Sequence, residues 1–162
     1  MVASAIASVI ATTLAALVAY SGRSFAAMAN YVSLDRASRN ALDVMSREIR
    51  QANRLTSASS TNLVFEDFDG GTLEYAYEVA TKTLKRKKDG VTDTRPLLTE
   101  CDHLQFSTFQ RNPIGGSYGV YPNATPETCK LVQLQWICSR EIFGMKVNTE
   151  SVQSSKIVIR KQ

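Results

Sequence analysis

The length and composition of the chain are those of one folded domain with an appendage. The sequence has 162 residues, of which 44% are hydrophobic and 21% are charged, and this balance excludes a wholly disordered chain. The formal net charge of +4 is too weakly basic to indicate a nucleic-acid partner by itself. One histidine and three cysteines without a CxxC pair exclude a zinc site and a thioredoxin-like site.

Residues 1–22 contain no charged side chain and predict a membrane-spanning helix. About 20 helical residues span about 30 Å, which matches the hydrocarbon core of a bilayer. A buried core helix would need a domain around it on all sides, and this segment lies at the terminus. A cleaved signal peptide is the alternative, with Val18-Ala19-Tyr20 as its cleavage site, but the basic region that precedes such peptides is missing. We therefore favour a retained membrane helix.

Small residues recur at every fourth position of this segment. They form a predicted helix-packing face, which consists of Ala3, Ala7, Ala11, Ala15 and Ala19. A row of small residues lets helix backbones approach closely in lipid, where packing replaces the hydrophobic effect. The alternative is that an alanine-rich membrane helix produces such a row by chance.

Residues 23–55 predict the amphipathic half of the same helix. Their apolar residues recur at three- and four-residue steps, and the positions expected to pack on a globular domain are Leu34, Leu42, Met45 and Ile49. Asp35 and Arg39 form a favourable acid-before-base pair at i, i+4. The polar cluster TSASSTN after Leu55 ends the pattern. The sequence thus predicts one continuous helix of about 50 residues, about 75 Å long.

Residues 56–162 predict an antiparallel β domain. The expected strands are 62–68, 72–79, 83–88, 104–109, 130–139 and 156–161. Asp69-Gly70-Gly71 and Asp89-Gly90 are hairpin turn signals, and the proline- and glycine-rich segment 111–128 predicts a long loop. The expected fold class is α+β, with the second half of the long helix packed on an antiparallel sheet.

The cysteine positions favour one disulfide. Cys129 and Cys138 would lie about 30 Å apart along one straight strand, whereas a disulfide needs Cα atoms within about 7 Å. Cys101 begins a strand and Cys138 ends one, so antiparallel pairing would bring them together if a bulge corrected their faces. We favour the pair Cys101–Cys138, with Cys101–Cys129 as the next candidate.

No constellation for catalysis or for a cofactor is visible in the sequence. His103 follows Asp102 without a GxSxG motif, and neither a GxxxxGK[ST] nor a GxGxxG phosphate loop occurs. We therefore expect no enzymatic activity, no cofactor, no metal and no small-molecule substrate.

A basic run lies in the predicted strand 83–88. Lys85, Arg86, Lys87 and Lys88 would contact DNA or an anionic surface, or would keep a solvated edge strand from aggregating. We favour the second interpretation, because no aromatic residues are interleaved with the run.

The whole layout resembles type IV pilins and the pseudopilins of type II secretion. The segment ASRNALDVMSREIRQA (37–52) is similar to the helix of minor members, namely the J-type pseudopilin and the W-type minor pilin. The run TKTLKRKKDG (81–90) resembles a hairpin of the same proteins. The resemblance covers the layout of the chain and is specific mainly over residues 1–55. It implies a structural subunit of the bacterial inner membrane, whose helix packs against other pilin subunits and whose β domain faces the periplasm or an extracellular filament.

The sequence departs from this family at its start. Family members carry a short basic leader, a glycine cleavage site and Phe-Thr-Leu-x-Glu before the apolar run, and none of these is present. The resemblance therefore implies either a start codon set too late, at an internal methionine, or a trimmed chain. The sequence as written would not be processed by the prepilin peptidase or carry the N-methylated terminus that the resemblance implies. The alternative function is a membrane-anchored or secreted β domain that binds DNA or an anionic surface through loop 111–128 or the basic hairpin.

Overall fold

One long helix and a series of strands make up the described part of the chain. The computed structural model describes residues 2–112, 114–115, 119–141 and 150–160. Helix α1 (Val2–Gln51) comes first. The strands that follow are β1 (Arg54–Ala58), β2 (Asn62–Glu66), β3 (Thr72–Glu78), β4 (Thr83–Lys88), β5 (Val91–Thr92), β6 (Cys101–Arg111), β7 (Val120–Pro122), β8 (Cys129–Ser139) and β9 (Glu150–Val158).

The strands form two antiparallel sheets. The first has the order β1-β2-β3-β4-β5, a meander in which each strand pairs with the next. The second has the order β7-β6-β8-β9. The predicted α+β class with a long helix packed on antiparallel strands is confirmed. The sequence predicted one sheet, whereas the structure has two, because β5 and β6 do not pair with each other.

The predicted continuous helix is confirmed, and it passes through Gly22 without a break. Its predicted end at Leu55 is wrong, since the helix ends at Gln51. Asn53 turns the chain into the first sheet: its backbone N–H donates to the Glu66 carbonyl at 2.8 Å, and its side-chain amide donates to the Asp67 carbonyl at 2.8 Å. Leu55 is then buried in β1, a strand that the polar sequence after it did not indicate.

The second half of α1 packs along the edge of the second sheet, against β9 and β8. The buried positions of the helix are Leu34, Ser38, Ala41, Met45 and Ile49. Ser38 Oγ lies 3.5 Å from Ser151 Oγ of β9. Three of the four predicted core positions, Leu34, Met45 and Ile49, are therefore buried, while Leu42 is half-buried and packs against the core. The Asp35–Arg39 ion pair is present at 2.8 Å.

Both predicted turns close hairpins of the first sheet. Gly70 (φ 84°) lies between β2 and β3, and Asp89 and Gly90 (φ 51° and 80°) lie between β4 and β5. These left-handed backbone positions are the ones that glycine and aspartate tolerate best. In β3 the predicted inward residues Leu73, Tyr75 and Tyr77 are buried, but Val79 is exposed because the strand ends at Glu78.

The second sheet is longer than the sequence indicated. Strand β6 begins at Cys101 rather than at residue 104, and β9 begins at Glu150 rather than at residue 156. The predicted loop 111–128 contains β7, which pairs with β6. Residues 113 and 116–118 of that loop, and residue 161 of the last predicted strand, lie outside the described residues. The predicted inward face of β8, namely Val132, Leu134, Trp136 and Cys138, is buried throughout.

Candidate assembly surface

The first half of α1 stands clear of the rest of the described protein. Every side chain from Val2 to Tyr20 is exposed. The bulky members of this segment, Ile6, Ile10, Leu14 and Val18, are each more than half exposed. The helix is long enough and apolar enough to cross a membrane. Full burial of one such aliphatic side chain contributes about 1.5–3 kcal/mol, so this surface is unfavourable in water and calls for an apolar environment.

The predicted helix-packing face lies wholly on this exposed segment. Ala3, Ala7, Ala11, Ala15 and Ala19 follow the ridge that i, i+4 residues form on a helix, and all five are exposed. This ridge is the surface along which another helix would pack in the predicted manner. Whether it does so stays a prediction.

Three hydroxyl groups of the apolar segment donate to carbonyls of the helix itself. Ser8 Oγ donates to the Ala5 carbonyl at 2.8 Å, Thr12 Oγ1 to the Val9 carbonyl at 2.9 Å, and Thr13 Oγ1 to the Ile10 carbonyl at 2.8 Å. A side-chain hydroxyl bonded to its own helix does not need water. These residues are therefore compatible with a lipid environment.

An apolar patch continues past Gly22 on the side of the helix that faces away from the sheets. Phe25 precedes the buried Leu34 by nine residues, or two and a half helical turns, so the two side chains point in opposite directions. Phe25 is 71% exposed, Met28 67% and Val32 53%. They belong to a shallow groove, here called the junction groove, lined by Phe25, Met28, Ala29, Val32, Ser33, Arg36, Ala37 and Asn40.

Sequence reasoning missed the junction groove. Its residues recur at three- and four-residue steps, but they overlap in sequence with the stripe that begins at Tyr31 and Leu34. Two apolar stripes on opposite sides of one helix produce a single mixed pattern. The two stripes can be distinguished because Phe25 and Leu34 are two and a half helical turns apart and therefore lie on opposite sides of the helix.

The predicted basic contact consists of ion-paired residues. Lys87 pairs with its cross-strand neighbour Glu74 at 3.4 Å. The other members of the run pair as Lys85–Glu78 at 2.7 Å, Arg86–Glu48 at 2.9 Å and Lys88–Asp69 at 2.7 Å. The hydrogen bond to Asp69 raises the pKa of Lys88. Because each cation already has a carboxylate partner, these four residues supply little free positive charge for DNA.

Glu48 of the helix is the centre of a half-buried polar cluster that the sequence did not predict. Arg86 contacts both carboxylate oxygens of Glu48, and the Tyr75 hydroxyl donates to the same carboxylate. Burial raises the pKa of Tyr75, and the hydrogen bond to Glu48 raises it further. The cluster connects the second half of α1 to β3 and β4.

The three cysteines are thiols in this structure, and all are buried. Cys101 and Cys138 are direct partners between β6 and β8, while Cys129 lies at the other end of β8, opposite Gln110. Cys101 and Cys129 therefore lie at opposite ends of the paired strands. The alternative prediction of a Cys101–Cys129 disulfide is wrong. The predicted antiparallel pairing of Cys101 with Cys138 is confirmed, and the bulge that it required lies at Asp102.

The described residues offer no group of three or more histidine, cysteine or acidic side chains that could hold a metal ion. His103 is exposed on β6. Searches of protein-family models and of curated proteins find nothing that matches this chain.

Proposed function

We propose that this chain is a structural subunit, like a minor pilin or a pseudopilin, of a bacterial type IV pilus or type II secretion-like filament. Residues 2–22 of α1 would anchor it in the inner membrane, and the β domain would face the periplasm or lie on the filament outside the cell. The partners would be other pilin-like subunits. This role is structural and requires no cofactor and no catalytic step.

The observation that carries the proposal is the division of one unbroken helix into two unlike halves. The first half is apolar and exposed, while the second half is packed into the β domain from Leu34 to Ile49. A single-pass anchor alone would need only about 20 residues and would tolerate a flexible linker before the domain. Continuity of the helix through Gly22 instead holds the domain at a set position relative to the apolar half. A subunit that packs repeatedly through its helix needs that fixed relationship.

The surface of the helix supports packing as well as anchoring. The alanine ridge would allow close approach of a neighbouring helix inside the membrane or the filament. The junction groove extends the apolar surface of the helix beyond the membrane-length segment, to positions that would face water in an isolated subunit. A helix that only anchored the protein in lipid would not need exposed apolar side chains, such as that of Val32, outside the membrane-length segment.

The basic hairpin does not favour the alternative function, a DNA-binding module. Its four cations are held by carboxylates of the same chain. Binding to DNA phosphates would have to replace these ion pairs rather than use free charges.

The test is co-purification of the full chain with other pilin-like subunits from detergent-solubilised membranes. We expect Ala7→Leu and Ala11→Leu to lower co-purification about tenfold, which corresponds to about 1.4 kcal/mol of association energy. The added side chains would hold the helices apart. Ile10→Leu is the matched control, because it changes the same segment without enlarging the alanine ridge, and it should co-purify normally.

The fold of the β domain is followed in the same samples by its resistance to protease. We expect resistance to be equal in all variants, since residues 7, 10 and 11 do not contact the domain. Equal co-purification of the alanine variants and the control would overturn the proposal.

A further inference from the structure

Two buried cysteines face each other at the ends of neighbouring strands. Cys101 at the start of β6 and Cys138 near the end of β8 are direct register partners. The Ser139 N–H donates to the Glu100 carbonyl at 3.0 Å, just outside this pair. In an antiparallel ladder that hydrogen bond flanks a non-hydrogen-bonded pair, whose Cα atoms lie about 4.5 Å apart. Disulfides occur at Cα separations of about 4.4–6.8 Å, so this position accepts one without backbone movement.

The bulge at Asp102 places both sulfur atoms on the same face of the sheet. Without the extra residue, Cys101 would alternate to the outer face, because the inward residues of β6 include Leu104 and Phe106. With it, Cys101 and Cys138 are 0% and 1% exposed. The Cys101 thiol donates to the His103 carbonyl at 3.3 Å. The neighbouring Cys138 thiol raises the pKa of Cys101, and Cys101 lowers that of Cys138. The two cysteines are therefore buried neighbours across the two strands.

The pair lies where the helix and both sheets meet. Cys138 is paired on its other side with Ser151 of β9, which contacts Ser38 of α1. The Tyr77 hydroxyl of β3 donates to the Cys101 carbonyl at 2.7 Å and connects the first sheet to the same point. A covalent bond here would fix the strands beneath the helix.

Cys129 has no such geometry. It lies on the same strand as Cys138 and near the opposite end of the sheet from Cys101. Burial raises the pKa of its thiol, which favours the unreactive protonated form.

We propose that Cys101 and Cys138 form a cross-strand disulfide and that Cys129 remains a thiol. The proposal stands on the strand geometry and does not depend on the filament function. The oxidant is of the disulfide class, such as oxidised glutathione. The Cys138 thiolate attacks it and forms a mixed disulfide, releasing one thiol, and the Cys101 sulfur then displaces the second. The two cysteine protons pass to the two thiols released, and the pair gives up two electrons. Because both cysteines are buried in the native fold, this exchange takes place during folding.

The test is oxidative refolding of the full chain in detergent. The reduced, unfolded protein is refolded with a mixture of reduced and oxidised glutathione, and remaining thiols are blocked with N-ethylmaleimide. Digestion without reductant, followed by mass spectrometry, then identifies linked peptides. We expect a Cys101–Cys138 link, lighter by two hydrogen atoms than its separate peptides, with Cys129 alkylated.

A parallel sample kept in guanidinium during oxidation is the control, because without the fold the three connectivities should compete. The variant Cys129→Ala should retain the link. Cys138→Ala should leave Cys101 alkylated, and if that variant does not fold, the wild-type map alone decides. Refolded protein with all three cysteines alkylated, or with Cys129 in the main link, would overturn the proposal.

Discussion

Glu48 of the helix and Arg86 of β4 form a two-point ion pair. Arg86 Nε lies 2.9 Å from one carboxylate oxygen of Glu48, and Nη2 lies 2.9 Å from the other. The two side chains are only 19% and 18% exposed, and Asp93 binds the outer side of the guanidinium. Since Tyr75 also donates to Glu48, the pair joins the end of α1 to two central strands of the first sheet.

Removal of Arg86 should destabilise the junction between helix and sheet. In Arg86→Ala the Glu48 carboxylate stays half-buried and keeps only its bond from Tyr75. We expect a loss of about 2–4 kcal/mol in the free energy of unfolding, between the values for exposed and buried pairs. Urea unfolding of the full chain in detergent, followed by circular dichroism of the β domain, measures this change.

Lys85→Ala is the matched control for Arg86→Ala. It removes a positive charge from the same strand, but both partners of the Lys85–Glu78 pair are more than 40% exposed. We expect a change of about 0–1 kcal/mol. Similar losses in the two variants would mean that the contact between Glu48 and Arg86 is no stronger than a surface pair.

The β domain should lose stability in acid. Lys88, Arg54 and Lys85 lower the pKa values of the carboxyl groups of Asp69, Glu66 and Glu78, respectively, below their usual range. A carboxyl group with a lowered folded-state pKa contributes stability above its unfolded pKa of about 4, and that contribution disappears as the pH falls through the folded pKa. The unfolding temperature should therefore be level from pH 7 to about 5 and fall below about pH 4.

The variant Lys85→Gln isolates one part of this acid effect. It removes the main cause of the lowered pKa of Glu78, so its unfolding temperature should depend less on pH between about 5 and 3 than that of the wild type. A wild-type unfolding temperature that stays constant or rises on acidification would contradict the stabilising role assigned to these three carboxyl groups.

The local patterns of the sequence were sufficient for the elements with a strong period or a turn signal. The uncharged segment 1–22, the stripe from Leu34 to Ile49 and the alternation of β8 each reflect one dominant partner, namely a bilayer-length surface or a core. The Asp-Gly turns are determined by their own backbone preferences. These elements could therefore be predicted without knowing which parts of the chain pack against them.

The remaining features depend on partners that are distant in sequence. Strand β1 is held by hydrogen bonds to β2, and its polar residues alone indicate a loop. The division into two sheets depends on which strands pair, and periodicity does not specify pairing. The carboxylates of Glu48 and Glu74 neutralise the basic run only because the folded chain brings them to it. The alanine ridge could be identified from spacing alone, but the junction groove required the position of the sheets on the helix.

A charge placed in the junction groove should affect assembly without affecting the fold. Val32 is half exposed and faces away from Leu34, so Val32→Glu should leave the unfolding temperature of the β domain within about 2 °C of the wild type, as for most surface substitutions. If a neighbouring helix covers the groove, the new carboxylate would be buried without a partner. We then expect a loss of co-purification with other pilin-like subunits of at least about tenfold.

The same substitution on a remote surface serves as the control for Val32→Glu. Val91 is 71% exposed in β5, at the far edge of the first sheet. Val91→Glu adds the same charge and removes the same apolar surface, but Val91 is not part of the junction groove, so co-purification should remain at the wild-type level. Equal retention of both variants would show that the junction groove stays open to solvent in the assembled state. In that case the contact between helices would lie elsewhere on α1, such as on the alanine ridge within residues 2–22.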